Sequence, residues 1–131
     1  MKEPVFIDRE TIDTLHRRSL EEHGGQDGIR NGHGLESALA QPRHMFAYGQ
    51  GDLFSLAAAY AYHLAENQPF IDGNKRTAIT AALVFLELNG VSTSMIPDAQ
   101  LYDAMIALAE KRLDKPGQAG IFRRLATVRR K

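Results

Sequence analysis

The fold of this chain is decided by residues 53 to 88, LFSLAAAYAYHLAENQPFIDGNKRTAITAALVFLEL. The two ends of the stretch, residues 53–65 and 77–88, are apolar on nearly every face of a helix and rich in alanine and leucine. A helix without a polar side belongs in the middle of a bundle, and this composition and length favour helix over buried strand. The sequence therefore predicts a central, buried pair of helices, the second of which ends at Asn89-Gly90.

Amphipathic segments on both sides supply the helices expected to cover this pair. One begins at Asp8, a residue type that caps helix N-termini, and stops at Gly24-Gly25. The others are residues 34–41, ended by Pro42, residues 97–112, and a last helix with Leu125 and Val128 on its apolar face. Residues 44–52 predict a loop. The prediction is an all-α bundle of about six helices around a buried central helix pair.

Composition limits the classes of protein to which the chain can belong. At 131 residues, with 44% hydrophobic and 24% charged residues, it predicts one soluble globular domain spanning 1–131. Lys+Arg and Asp+Glu both number 16, so overall charge gives no reason to expect a nucleic acid or a membrane as partner. The absence of cysteine excludes disulfides and thiolate nucleophiles. We expect a cytoplasmic protein, because no signal peptide or membrane span is recognisable.

The connection between the two central helices concentrates charge and flexibility. Asp72, Gly73, Asn74, Lys75 and Arg76 follow one another directly before the second apolar run. A helix N-terminus presents unpaired N–H groups and a positive dipole end, which attract phosphate. Cations in that first turn are unfavourable unless an anion binds there, and this local misfit predicts an anion site.

Each residue of the connection has a candidate role. Gly73 permits close backbone approach, and Asn74 can cap the helix and turn its amide toward a phosphate oxygen. Arg76 can grip two phosphate oxygens, Lys75 acts as a point charge, and Asp72 suits a Mg²⁺ that bridges two phosphates. The alternative is ordinary turn and capping chemistry with two solvated cations.

The stretch QPFIDGNKR, residues 68–76, resembles the signature of the Fic/Doc (Fido) superfamily, His-x-Phe-x-Asp/Glu-Gly/Ala-Asn-Gly/Lys-Arg. Lys75 and the run to Asn89-Gly90 are similar to the Doc branch, the death-on-curing toxins. The segment GIRNGHGLESALAQPR, residues 28–43, also resembles the Doc-type sequence before the central helices. The resemblance therefore covers most of the chain.

The resemblance implies a Fido fold and transfer of a phosphoryl group from Mg-ATP to a protein hydroxyl. For the Doc branch it implies a kinase acting on translation elongation factor Tu and neutralised by a separate antitoxin. Phe70 would then anchor the loop, Asp72 would hold Mg²⁺, and Asn74 would line the anion hole. Lys75 and Arg76 would bind phosphates. The lysine fits γ-phosphoryl transfer, whereas AMP-transferring members have glycine there; AMP transfer remains the alternative.

Gln68 departs from the family pattern, since the family has a histidine there as general base. An amide has no basicity near neutral pH, so Gln68 can orient a hydroxyl but cannot take its proton. Loss of a general base typically costs about 10²- to 10⁴-fold in rate. Two alternatives stay open: a non-catalytic nucleotide or phosphate binder, and an introduced inactivating substitution, because one base separates the codons of histidine and glutamine.

His63 and the aromatic residues of the predicted loop 44–52 are further candidates for a functional role. His63 is a conceivable substitute base, but its position inside an apolar helix favours core packing with one hydrogen bond. The other histidines are scattered without metal-ligand spacing. Phe46 and Tyr48, in the predicted loop 44–52, resemble the flap with which Fic proteins align a target segment. The resemblance therefore makes these two aromatic residues candidates for target docking.

Overall fold

The computed structural model describes residues 2–110, 114–125 and 127–128. These residues form six α-helices and one pair of two-residue strands, which confirms the predicted all-α class. In chain order the elements are α1 (Arg9–His23), α2 (Gly32–Ala47), α3 (Leu53–Asn67), α4 (Asn74–Leu88), β1 (Val91–Ser92), α5 (Asp98–Ala109), α6 (Lys115–Leu125) and β2 (Thr127–Val128).

Helices α3 and α4 form the centre of the bundle, as the apolar runs predicted. They pack against each other, while α2 and α6 cover α3, α1 covers α4, and α5 contacts both. Alanines are fully buried on both central helices, and their small side chains let two helices approach closely. Larger side chains complete the interface, with the rings of Tyr60 and Phe85 5.2 Å apart. The packing of α3 against α4 therefore fixes both ends of the connection between them.

The N-terminal segment is fastened to this central pair by two polar side chains. Tyr60 accepts a hydrogen bond from the backbone N–H of Ile7 at 2.9 Å, and burial raises the pKa of Tyr60 to about 12. Asn89 accepts a hydrogen bond from the N–H of Val5 at 2.8 Å and caps the C-terminus of α4. The predicted stop of the second central helix at Asn89-Gly90 is therefore confirmed.

Helix α2 corrects the prediction of a short helix ended by Pro42 and followed by a loop. The helix runs from Gly32 to Ala47 with Pro42 inside it and buried. A proline inside a helix removes one backbone hydrogen bond and typically costs about 3 kcal/mol. The helix nevertheless continues because Met45 and Phe46, one turn further on, pack against the hydrophobic core.

The C-terminal part of the chain differs from the prediction at Val128. Instead of extending the last helix, Val128 pairs with Val91, and Thr127 pairs with Ser92, in an antiparallel two-residue ladder. Two β-branched residues in succession favour an extended backbone over a further helical turn. The predicted helix over 97–112 is observed as Asp98–Ala109, and residues 111–113 lie outside the described part of the chain.

Candidate functional site

The connection between α3 and α4 begins with an unusual backbone conformation at Gln68. Gln68 has φ 45° and ψ 58°, the left-handed region, and it is the one non-glycine residue with positive φ in the described part of the chain. This conformation costs an ordinary L-residue roughly 1–2 kcal/mol, and the following Pro69 further restricts the residue before it. Such strain persists only where the surrounding structure enforces it, and it is often found at functional sites.

The floor of the connection is Phe70, which is 2% exposed. Its ring stacks on the buried imidazole of His16 in α1, with centroids 3.8 Å apart and planes 9° from parallel. Nε2 of His16 lies 2.7 Å from the carbonyl oxygen of Asp72, and because a carbonyl only accepts, that nitrogen is the donor. The anchoring position of Phe70 is consistent with the role that the resemblance implies. His16 was not singled out in the sequence; the available signal was its place on the buried face of α1, with Ile12 and Ser19.

Residues 24–31, between α1 and α2, run alongside the connection and hold it. The backbone N–H groups of Arg30 and Asn31 both donate to the carbonyl of Pro69, at 2.8 and 3.0 Å. The N–H of Ile71 donates to the carbonyl of Gly28 at 3.0 Å. Gly28 has φ 133°, a conformation that side chains rarely adopt, so glycine is required for this pairing. The connection is therefore one side of a small two-stranded contact.

The N-terminus of α4 corrects the capping role predicted for Asn74. Gly73, with φ 80°, occupies the N-cap position, and no side chain caps the helix. The Asn74 side chain turns back into the connection instead: its Oδ1 accepts from the N–H of Phe70 at 2.9 Å, and its Nδ2 donates to the carbonyl of Phe70 at 2.8 Å. The N-terminal end of α4 consequently keeps its dipole uncompensated by any described side-chain cap.

These elements enclose a cavity of about 450 Å³ that brings most of the candidate residues together. Its lining consists of Arg30, Ala65, Gln68, Ile71, Asp72, Gly73, Asn74, Lys75 and Arg76. Phe70, Phe46 and Tyr48 are not in the lining. Sequence reasoning missed Arg30, for which the only signal was its place in the Gly-rich segment before α2.

The electrostatic character of the cavity is positive. Three cations line it, Arg30, Lys75 and Arg76, and no carboxylate of the described residues forms an ion pair with any of them. Asp72 is the one carboxylate in the lining, and its Oδ2 accepts a hydrogen bond from the backbone N–H of Gln26 at 2.9 Å. The helix dipole adds to the three cations, so the cavity can bind a multiply charged anion.

The other candidate residues lie elsewhere. Phe46 packs edge-on against Phe6 at 6.0 Å, whereas Tyr48, just after α2, is 80% exposed. His63 is partly buried on α3, where its Nε2 accepts a hydrogen bond from Lys115 of α6 at 3.1 Å. Burial, followed by the charge of Lys115, lowers the pKa of His63 to about 4. His63 thus faces α6 rather than the cavity.

The sequence matches a family model over residues 6–86, a span that contains the whole cavity. That model describes the Fic/DOC family. The chain belongs to this family. As a Fic/DOC member it is 32% identical over 120 residues to "Protein kinase doc" of Escherichia phage P1, covering 91% of this chain and 94% of the relative. It is also 40% identical over 89 residues to "Toxin Doc" of Mycolicibacterium smegmatis, covering 66% of this chain and 65% of that protein.

The described part of this Fic/DOC chain lacks two classes of feature. None of its helices combines the length and apolarity needed to cross a membrane. No group of three or more histidine, cysteine, aspartate or glutamate side chains comes together there as a metal site. A metal ion at the cavity would therefore depend on Asp72 together with oxygens supplied by a ligand.

Proposed function

We propose that this chain is a Doc-like toxin that transfers the γ-phosphoryl group of Mg-ATP to a hydroxyl group of a protein, with translation elongation factor Tu as the first target to test. The observation that carries the proposal is the cavity itself. It gathers Gln68, Asp72, Gly73, Lys75 and Arg76 at the N-terminus of a buried helix. The similarity to the phage P1 protein kinase and to the mycobacterial toxin supports the choice of reaction.

Phosphate binding is assigned to the N-terminal turn of α4. Arg76 can hold two phosphate oxygens with its planar guanidinium, and Lys75 adds a mobile positive charge. Gly73 carries no side chain, so its backbone leaves room for a phosphate to approach the helix end. Asn74 contributes indirectly, because its hydrogen bonds to Phe70 fix the shape of the turn that presents these groups.

Asp72 fits the requirement for magnesium. Mg²⁺ is commonly bound through one or two carboxylates together with the phosphates of the substrate. The hydrogen bond from Gln26 fixes Oδ2 of Asp72, and Oδ1 has no hydrogen-bond partner among the described residues. When bound there, the ion would neutralise charge that develops on the phosphates during transfer. The adjoining carbonyl of Asp72 is held by His16, so the carboxylate is positioned from both sides.

The proposed transfer is a displacement at the γ-phosphorus of ATP. The oxygen of the target hydroxyl attacks the γ-phosphorus, a new O–P bond forms, and the bond to the β–γ bridging oxygen breaks. ADP leaves, and the hydroxyl proton passes to water, because the cavity lining holds no histidine, an amide at position 68 cannot take a proton, and the Asp72 carboxylate is assigned to Mg²⁺. Positioning and phosphate electrostatics remain available to lower the barrier. The expected reaction is therefore slow.

The proposal is tested by incubating the purified protein with elongation factor Tu and either γ-labelled or α-labelled ATP. Label from the γ position alone supports phosphoryl transfer, whereas label from the α position supports AMP transfer. Asp72→Ala and Arg76→Ala should abolish labelling, while Arg17→Gln, an exposed arginine of α1 outside the cavity lining, should leave it unchanged. No label from either position would contradict the proposal.

A second candidate function is a non-catalytic binder of nucleotides or phosphorylated proteins, which the glutamine at position 68 favours. In that case the output is complex formation, including a complex with an antitoxin chain. Expression in a bacterial host separates the two functions. If growth inhibition depends on Asp72 and is increased by Gln68→His, catalysis is the mechanism. Growth inhibition that survives both Asp72→Ala and Arg76→Ala would exclude phosphate chemistry as its cause.

A further inference from the structure

Arg30 is the residue of the cavity that comes from outside the α3–α4 connection. It lies in the segment between α1 and α2, and its Nη1 donates a hydrogen bond to Oε1 of Gln68 at 3.2 Å. Its backbone N–H donates to the carbonyl of the next residue, Pro69, at 2.8 Å. Arg30 thus holds both residues of the strained turn, Gln68 through its side chain and Pro69 through its backbone.

The contact fixes which way the Gln68 amide faces. A guanidinium has five N–H donors and no acceptor, so only the amide oxygen of Gln68 can face Arg30. The amide NH₂ group has no hydrogen-bond partner among the described residues and is left to face a ligand in the cavity. Position 68 therefore offers hydrogen-bond donors to the ligand, while its oxygen is engaged by a cation.

We propose that Arg30 and Gln68 form one anion-binding unit, in which the guanidinium and the amide NH₂ donate to nonbridging oxygens of the outer phosphate of a nucleoside triphosphate. The inference rests on the function proposed above and deepens it: Gln68 binds the phosphoryl group to be transferred rather than the attacking hydroxyl. Arg30 also acts as a positioning residue, because it sets the orientation of the amide. Arg30 thereby adds a third cation to the cavity, from the segment between α1 and α2.

Two observations favour binding over a purely structural contact. Arg30 is exposed and has no carboxylate partner among the described residues, so its charge is available to an anion. Gln68 keeps a conformation that glycine would adopt without strain, and this conformation places its side chain in the cavity lining. A turn needed only for chain reversal has no use for a polar side chain at that strained position.

The deciding variant is Gln68→Glu, which keeps the shape of the side chain. A carboxylate still accepts from Arg30, so the turn should remain and the melting temperature should stay equal or rise. The NH₂ donors, however, are replaced by a negative charge that repels phosphate. Calorimetry in magnesium buffer should show the affinity for MgATP and for inorganic tripolyphosphate fall by about tenfold or more. If Gln68 instead accepted a hydrogen bond from the hydroxyl, the carboxylate would act as a base and transfer would become faster.

Arg30→Gln and Arg30→Lys complete the test. The glutamine variant should weaken tripolyphosphate binding by about tenfold to a hundredfold, as expected for a lost charge-assisted contact. Lysine should restore part of that loss, because it keeps the charge but not the planar fork. Arg17→Gln is the matched control, since it makes the same charge change outside the cavity and should leave affinity unchanged.

A spectroscopic measurement separates binding from mere support of the turn. In the ¹⁵N-labelled protein, the side-chain NH₂ resonances of Gln68 should move on addition of tripolyphosphate, and should move less in Arg30→Lys. If the wild-type protein binds tripolyphosphate while these resonances stay still and the Gln68→Glu and Arg30→Gln affinities stay within twofold of wild type, this inference is overturned and the proposed function stands. If the wild-type protein binds neither tripolyphosphate nor MgATP, both are overturned.

Discussion

Helix α3 contacts an arginine at each terminus, through the carboxylate of Asp52 and the carboxamide of Gln68, and the two contacts serve different purposes. At its N-terminus, Asp52 caps the helix by accepting from the N–H of Ser55 at 3.0 Å, and it also binds Arg123 of α6 through both carboxylate oxygens at 2.8–3.2 Å. At its C-terminus, Gln68 is strained, and its carboxamide meets Arg30 beside a cavity of about 450 Å³. The N-terminus of α3 pairs Arg123 with a carboxylate, whereas the arginines at its C-terminus have no carboxylate partner in the described part of the chain. Paired charge here serves stability, and unpaired charge marks the candidate site.

The largest change is expected from a substitution that places a base at the C-terminus of α3. Gln68→His should raise the rate of phosphoryl transfer at least tenfold, and at most by the about 10²- to 10⁴-fold that general-base catalysis typically contributes. The measurement is the initial rate of label transfer from γ-labelled ATP. Gln50→His, in the exposed turn before α3, is the matched control and should have no effect. An unchanged rate for Gln68→His would show that proton removal does not limit the reaction.

Removing the cap at the N-terminus of α3 should lower the stability of the fold and leave ligand binding unchanged. Asp52→Ala removes a helix cap, which typically costs about 0.5–2 kcal/mol, together with a half-exposed ion pair that contributes less. Chemical denaturation should therefore show a loss of about 1–2 kcal/mol. A double-mutant cycle with Arg123→Ala isolates the ion pair. Weaker tripolyphosphate binding by Asp52→Ala would contradict the separation of the two ends.

At position 68, glycine should be more stable than alanine because it relieves the backbone strain, and both substitutions should impair the cavity. Gln68→Gly places the residue without a side-chain clash in the left-handed region, so it should be more stable than Gln68→Ala by about 0.5–1 kcal/mol. Both variants lose the contact with Arg30, which makes alanine the proper reference. Denaturation midpoints measure the difference. Equal stability of the two variants would show that the left-handed conformation carries no strain.

The smallest effect belongs to His63, which lies on α3 but faces α6. Its pKa in the folded protein, lowered to about 4 by burial and then by Lys115, lies below the ordinary value of 6.5. The unfolded chain therefore binds more protons between these two values, and stability should fall as pH decreases from about 6.5 to 4. Since the ring is partly exposed, the slope should be shallow. The melting temperature of the wild type should fall more than that of His63→Gln as the pH decreases over this range; an unchanged difference between the two would contradict the assignment.

The sequence predicted those features that depend on local pattern. The apolar runs identified α3 and α4, Asp8 and Asn89-Gly90 marked helix ends correctly, and the charged connection identified most of the cavity lining. Pro42 misled because the core contacts of Met45 and Phe46 outweigh a missing backbone hydrogen bond.

The supporting residues of the site were beyond sequence reasoning. Arg30 lies 38 positions from its partner Gln68, and His16 lies 56 positions from Asp72. Neither contact leaves a local signature, because each depends on how residues 24–31 and α1 are placed against the connection. The same limit applies to Asn74, whose type suits capping, whereas its neighbours direct its amide to Phe70.

The hydrogen bonds between Asn74 and Phe70 affect the rate and the entropic cost of ligand binding. The asparagine closes a ring of two hydrogen bonds on Phe70, and the imidazole of His16 stacks beneath it. The connection between α3 and α4 is thus held in place before a ligand binds, and binding of a polyphosphate need not order its backbone. Ligand binding should therefore cause little change in amide hydrogen exchange across residues 70–74.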